Sequence, residues 1–200
     1  NEFNRLRASV TISGSVSGAS ASAQSTRANL VEVLKLVAEV LRQPAFAAAE
    51  FEQLRNSQLA QIEQGRRDPQ SRGRLEFRRQ FNAFPPGDVR YTPTVDEQIA
   101  DLNAAKLDQA RAFHSRFYGT NHAQLAIVGD FDGDEIAKLA AELFGSWKSA
   151  ASYARIRQPY RTHAAKELRI ETPDKANAYF VAGMNIALND RNPDYPAILL

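Results

Sequence analysis

The stretch FHSRFYGTN at residues 113–121, followed by AIVGD at residues 126–130, joins a helical pattern to an apolar run. Asn103 can cap the helix, whose apolar side is spaced by three or four residues and carries Leu107, Ala110, Phe113, His114 and Phe117. The short apolar run 123–128 predicts a buried strand. A helix, a strand and a further helix are therefore predicted over about residues 95–145.

An acidic segment, Asp130 to Glu135, follows this strand. Asp132 and Glu135 have the spacing of a helix capping box, and Gly145 stands where a left-handed helix end is expected. The segment superficially resembles a calcium loop, but its glycine comes fourth instead of sixth. We interpret it as a strand end followed by a helix cap with a negative first turn.

Alternation of apolar and polar residues predicts two strands near the start of the chain, at residues 8–13 and 19–24. The turn between them spans Gly14 to Gly18. The pattern indicates a β-hairpin, and the alternative is a flexible Gly/Ser-rich linker.

Three helices are predicted to follow the hairpin, which completes a segment of about residues 7–83. The first has Leu30, Val33, Leu34, Val37 and Leu41 on one face; Ser25 or Thr26 is its expected cap, and Pro44 stops it soon after Arg42. The second covers about residues 47–66, and its expected inward residues are Phe51, Leu54, Leu59 and Ile62. Asp68-Pro69 opens the third, which ends near Phe81.

The last part of the chain is predicted to hold a linker at about residues 146–166, then strands at 167–171 and 177–183 and a helix start at Asn192. Because strands and helices mix without a strict βαβ repeat, the predicted class is α+β, with an antiparallel β-sheet packed against several α-helices. Residues 1–200 are expected to be a single, C-terminally truncated domain, cut at both ends.

Composition excludes several classes of site. With no cysteine, the chain has no disulfide and no thiolate metal site. A net charge of only +2 gives no reason to expect nucleic-acid binding, and no apolar run reaches the roughly 20 residues of a membrane span. The compartment stays open, with a periplasmic or otherwise extracytoplasmic location as one possibility.

Chemical motifs are missing as well. The chain has three histidines, His114, His122 and His163, and none belongs to a His-x-x-Glu-His or His-x-x-His pair. His114 lies on the apolar side of its helix, where a packed, hydrogen-bonded ring is expected. Residues 14–18 fail the G-x-S-x-G pattern because Val16 is central. No catalytic, cofactor-binding or metal-binding residue is predicted.

A cluster of arginines is the densest basic feature and consists of Arg66, Arg67, Arg72, Arg74, Arg78 and Arg79. These positions spread over more than one side of a helix, and Asp68 and Glu76 offset part of the charge. We interpret them as a solvated or salt-bridged face, with an anion-binding module as the weaker alternative.

The motifs of residues 113–130, with Leu30–Phe46, Phe84–Asp88 and Phe144–Trp147, resemble the pitrilysin/insulinase family of zinc metallopeptidases, the inverzincins, which include the mitochondrial processing peptidases. Their zinc is held by His-x-x-Glu-His. Where the active half of these proteins has a Glu-Arg pair on a long helix, this chain reads Leu54-Arg55. Gln58 and Gln61 stand where a further acidic residue is expected. The resemblance therefore implies the non-catalytic half.

By this resemblance, the chain helps to enclose and bind peptide substrate opposite a separate zinc-bearing half, in the same polypeptide or in a second subunit. Zinc is expected in that partner half and no cofactor in this chain. The histidines of an active half would precede Asn1, and the Arg and Tyr lent to substrate would follow Leu200. A bacterial source fits such two-half proteins. The alternative is a non-enzymatic scaffold or assembly subunit with the same fold.

Overall fold

The computed structural model describes residues 2–198 and has the predicted α+β class. Two strands, β1 (Ser9–Gly14) and β2 (Ala19–Gln24), form an antiparallel sheet. The α-helices of these residues are α1 (Glu2–Arg5), α2 (Leu30–Arg42), α3 (Ala48–Arg66), α4 (Pro69–Phe81), α5 (Val95–Ala104), α6 (Leu107–Phe117), α7 (Gly133–Phe144) and α8 (Tyr195–Ile198). Among residues 2–198, no helix has both the length and the apolar character that crossing a membrane requires.

The chain divides into two compact units, each built from two segments. The first unit comprises Asn1–Glu52 and Ala105–Ile156, and the second comprises Gln53–Ala104 and Arg157–Leu200. The first therefore holds the sheet with α2, α6 and α7. The second holds most of α3 with α4 and α5. The single truncated domain over residues 1–200 stays a prediction.

The β-hairpin and α2 form a core in the first unit, and the hairpin and the end of α2 confirm the prediction. The predicted cap of α2 at Ser25 or Thr26 is wrong, because a 3₁₀ turn at Arg27–Asn29 comes first and α2 begins after Asn29. Ser9 pairs with Gln24 and Gly14 with Ala19, and the Ser15 N–H donates to the Gly18 carbonyl across the turn at 2.7 Å. Val33 of α2 is fully buried and clusters with three other buried residues, Leu6, Ala8 and Val37. Burying one such side chain stabilises the fold by about 1.5–3 kcal/mol relative to leaving it in water.

Helices α3 and α4 have the predicted bounds, and a local cap explains where α4 begins. The Asp68 carboxylate accepts a hydrogen bond from the Ser71 N–H at 2.7 Å, and Pro69 occupies the first helical turn. This backbone hydrogen bond lowers the pKa of Asp68. The inward prediction for α3 is wrong at Leu54, which is 57% exposed.

Helix α5 was not expected as a separate element, and its cap corrects the role predicted for Asn103. Thr94 and Glu97 form a reciprocal cap: the Glu97 N–H donates to the Thr94 hydroxyl at 3.2 Å, and the Thr94 N–H to the Glu97 carboxylate at 2.7 Å. Asn103 lies inside α5, and α6 begins after Lys106 instead. The signal was present in Thr94-x-x-Glu97.

Three predicted strands are wrong in the described part of the chain. Residues 123–128, 167–171 and 177–183 have no strand structure. Val128 is 98% exposed, so the run 123–128 is not a buried strand either. An apolar run forms a strand only where a neighbouring strand supplies hydrogen-bond partners, and none of these three segments has one. The observed sheet is accordingly the hairpin alone.

Helix α7 has the expected cap at its start and a different end. The Asp132 carboxylate accepts from the Glu135 N–H at 2.9 Å. Gly145 has φ −61° and ψ −34°, so the left-handed conformation predicted there is wrong. Its N–H donates to the Ala141 carbonyl at 2.9 Å, which continues the helical hydrogen-bond pattern by one residue.

The segment Gly119–Asn121 docks against the residues that follow α7. The Thr120 N–H donates to the Trp147 carbonyl at 2.9 Å, and the Ser149 N–H donates to the Asn121 side-chain oxygen at 2.7 Å. The Thr120 hydroxyl donates a hydrogen bond to the Phe144 carbonyl oxygen at 2.7 Å. The stretch that resembled a known family thus forms a backbone junction in the first unit.

Candidate functional site

His114 is a packed residue in the first unit. Its Nε2 atom lies 2.8 Å from the Leu41 carbonyl oxygen and makes a hydrogen bond to it. The rings of Phe46, Tyr118 and Trp147 surround the half-buried imidazole, with centroids 5.7, 4.8 and 6.3 Å away. The structure therefore gives His114 the packed, hydrogen-bonded environment that its place on the helix indicated.

The other two histidines also lie beside aromatic rings. His122 is exposed in the first unit, with its ring centroid 5.1 Å from that of Tyr153. His163 belongs to the second unit and packs edge-on against Phe81 at 5.3 Å. Among residues 2–198, no group of three or more His, Asp or Glu side chains is arranged to hold a metal ion.

The acidic segment 130–135 acts in folding. Asp130 forms an ion pair with Arg27, and Asp132 caps α7. Because each of these two carboxylates serves a different partner, their positions fit the predicted helix cap rather than a calcium loop. The strand end expected before that cap is absent.

Four members of the arginine cluster have fixed partners in the second unit. Arg66 forms ion pairs with Glu63 and Asp96, and Arg79 forms one with Glu76. Arg72 donates to the Glu171 carbonyl at 2.9 Å, and Arg74 to the Tyr179 hydroxyl at 3.3 Å. This pattern supports the interpretation of a salt-bridged face over an anion-binding module.

The loop after α4 is held by a stacked arrangement around Phe84, which is only 7% exposed. The Arg90 guanidinium carbon lies 3.8 Å from the centroid of the Phe84 ring, and that of Arg161 lies 4.1 Å from it. Asp88 fixes Arg90 through bonds of 2.8 and 2.7 Å, and Arg90 also donates to the Arg157 carbonyl at 2.9 Å. The ring and its two cations therefore tie the loop to the segment near residue 160.

An open cleft of about 440 Å³ lies beside this stack in the second unit. We call it the Phe84 cleft, and the residues that line it are Arg79, Asn82, Ala83, Phe84, Pro85, Tyr91 and Thr92. Sequence reasoning marked residues 84–87 only as a turn and missed the cleft, because the lining combines the end of α4 with residues that follow the loop.

A hydrogen-bond network orients the polar side of the Phe84 cleft. The Tyr91 hydroxyl donates to the Glu97 carboxylate at 2.8 Å. That hydrogen bond raises the pKa of Tyr91. The pKa of Glu97 is lowered, first by the Thr94 N–H and then by Tyr91, with the charge of Arg79 as a smaller cause. Glu97 therefore joins the cap of α5 to the cleft.

Comparison with known proteins finds similarity to a family model and to a solved structure. Residues 104–200 match the family model described as the peptidase M16 inactive domain. The chain is also similar to the crystal structure of a peptidase M16 inactive domain from Pseudomonas fluorescens, with a TM-score of 0.65 and 26% sequence identity. Both matches are to the same kind of domain, the inactive domain of peptidase M16. No curated protein sequence matches this chain.

The resemblance to the inactive half of pitrilysin-type peptidases is thereby confirmed. The M16 match from Pseudomonas fluorescens covers 79% of this chain and 38% of the solved one. This chain thus spans well under half the length of that M16 structure. The segment Leu54-Arg55, with Gln58 and Gln61, lies on α3, and Gln58 and Gln61 are exposed there.

Proposed function

We propose that this chain is part of the inactive half of an M16 zinc metallopeptidase and that it helps to enclose and bind peptide substrate. The zinc-bearing half would be a separate part of the same polypeptide or a second subunit. The observation that carries the proposal is the match of residues 104–200 to a domain described as inactive. An inactive domain of a peptidase family can contribute to proteolysis only together with a catalytic domain.

The environments of the histidines support the proposal that another part of the protein carries the zinc. The His114 imidazole is engaged with the Leu41 carbonyl and aromatic rings, and among residues 2–198 no group of three or more His, Asp or Glu side chains is arranged to hold a metal ion. A catalytic zinc site uses three protein ligands that converge on one point. Hydrolysis in the complete protein would therefore use ligands that another part of it supplies.

Exposed apolar residues of the first unit support contact with a further polypeptide. Phe113 and Phe117 stack on α6 with their ring centroids 4.8 Å apart, and they are 56% and 48% exposed. Leu125 and Val128 of the same unit are exposed as well, at 54% and 98%. Exposed apolar side chains that lie together mark surfaces that contact another chain or a ligand, and the stacked pair Phe113–Phe117 is such a feature.

The test is binding and cleavage of an unfolded protein by the purified chain, with the same protein in its folded state as the control. We expect the chain to retain the unfolded form, to spare the folded one and to cleave neither, with or without added zinc. Cleavage that a chelator abolishes would contradict the proposal. If the chain retains neither the unfolded nor the folded form, the peptide-binding role is wrong and the scaffold alternative is favoured.

A further inference from the structure

We propose that the Phe84 cleft binds an extended peptide segment by donating hydrogen bonds to its uncharged carbonyl oxygens; this inference rests on the proposed function. The wall of the cleft near Phe84 is ordered, because the Phe84 ring stacks with the guanidinium groups of Arg90 and Arg161. Asp88 in turn holds Arg90. A wall that is already ordered loses little conformational entropy when a ligand binds.

The polar side chains of the cleft offer donors. Arg79 uses its Nη1 atom on Glu76, at 3.1 and 3.4 Å from the two carboxylate oxygens. A guanidinium carries five N–H groups, so this pairing employs only part of its capacity. Asn82 and Thr92 contribute an amide and a hydroxyl to the same lining. None of the seven lining residues carries a carboxylate, so the fitting ligand is rich in acceptors.

Neighbouring charges select a neutral acceptor over a carboxylate. Glu76 pairs with Arg79, and Glu97 lies close enough for Arg79 to lower its pKa. The positive charge of Arg79 is therefore paired with the Glu76 carboxylate, and that of Arg90 with the Asp88 carboxylate. A ligand carboxylate would gain little net attraction here, whereas a backbone carbonyl needs only the donors.

The apolar part of the cleft suits a small side chain of the same peptide. Ala83 and Pro85 are both exposed and both line the cleft next to Phe84. An extended peptide points successive side chains to opposite sides, so one residue can rest on this apolar strip while its carbonyls meet the donors. A peptide of small apolar residues, blocked at both ends, is accordingly the probe of choice.

The experiment measures fluorescence anisotropy of a labelled, acetylated and amidated ten-residue Ala/Val/Ser peptide titrated with the chain. Arg79→Met removes the donors and keeps the stem, and Arg78→Met is the matched control on an exposed neighbour outside the cleft. We expect Arg79→Met to weaken binding about tenfold, the size of one lost charged hydrogen bond. Arg78→Met should leave the Kd within about twofold of the wild-type value, because Arg78 lies outside the cleft. A rise in salt concentration should also change the Kd by less than about twofold, because salt screens charges and this peptide is neutral.

Further variants and probes keep the inference open to refutation. Asn82→Ala and Thr92→Val remove one donor each and replace Arg79→Met if circular dichroism shows that variant to be unfolded. Wild-type binding that all cleft variants retain would overturn the inference and leave the proposed function standing. A free C-terminal carboxylate that binds far more tightly and salt-dependently would replace carbonyl recognition with carboxylate recognition. No binding by the wild type to this peptide or to unfolded protein would remove both.

Discussion

Gly119 packs directly against the backbone of Ser149, in a space that a side chain cannot share. A Cβ atom at Gly119 would lie 2.7 Å from the Lys148 carbonyl carbon and 2.9 Å from the Ser149 Cα, and nearer still to the Ser149 nitrogen. Because these are backbone atoms, no rotamer change relieves the clash. The glycine of the Phe117–Asn121 motif is thus needed for the junction that Thr120 and Asn121 complete.

Gly119→Ala should destabilise the first unit by about 1–3 kcal/mol, the usual effect of forcing atoms into a packed space. Urea unfolding monitored by circular dichroism measures the change. Gly133→Ala is the matched control, because a Cβ there meets nothing within 4 Å. Equal stability of the two variants would contradict the close docking of residues 119 and 149.

Val33→Ala tests the core beneath the hairpin. Val33 has 0% exposure and packs with Leu6 and Val37. Its truncation should cost about 2 kcal/mol, between the usual losses for Ile→Val and Leu→Ala. Val40→Ala, on the exposed side of the same helix, should stay within about 0.5 kcal/mol of the wild type. Thermal and urea denaturation would both report the difference, and a reversed order would refute the assigned face of α2.

The Asp88–Arg90 pair predicts a loss of stability in acid. The Arg90 side-chain hydrogen bonds lower the pKa of Asp88 from 3.8 to about 2. A group whose pKa is lower in the folded state contributes its stability above the unfolded value and loses it as pH falls through the folded value. The Asp88 contribution should therefore fade between about pH 4 and pH 2.

Denaturation midpoints of the wild type and of Asp88→Asn across this pH range measure that contribution. The variant should be less stable at neutral pH, and its deficit should shrink as the solution becomes more acidic. A constant deficit at every pH would mean that the charge of Asp88 is not what holds Arg90.

Zinc loading tests the assignment of the metal to another part of the protein. After incubation with zinc and desalting, elemental mass spectrometry should find far less than one zinc per chain, because His114 is committed to the Leu41 carbonyl and aromatic rings. His114→Ala should leave the zinc content unchanged. A tight, near-stoichiometric zinc would require His114, His122 and His163 to converge and would overturn the proposed division between the two halves.

Local sequence was a good guide wherever a helix carried its own start and stop signals. Asp68-Pro69 and Asp132 mark α4 and α7 because a capping carboxylate reaches an N–H only three residues ahead. Thr94-x-x-Glu97 carries the same signal for α5. Asn103 is also chemically suitable as a cap, yet it lies inside α5, and only the folded backbone shows which of the two residues acts as one.

Strands and surfaces were harder to predict, because their partners are distant in sequence. Residues 123–128 have the composition of a buried strand, yet Val128 is almost fully exposed. Leu54 has the spacing of an inward residue on α3 and remains exposed for the same reason: periodicity identifies a face and not what covers it. The Phe84 cleft was missed since Arg79 and Thr92 meet only after the loop between them has folded.

The sequence by itself determined most of the helices, the hairpin, the resemblance to the inactive half of pitrilysin-type peptidases and the lack of a zinc-binding histidine motif. These features follow from periodicity, from caps that act over three or four residues, and from motifs read directly in the chain. The tertiary structure alone decided that Gly119 abuts Ser149, that Phe84 lies between Arg90 and Arg161, and which apolar residues remain exposed. Each depends on contacts between distant residues, which local spacing does not encode.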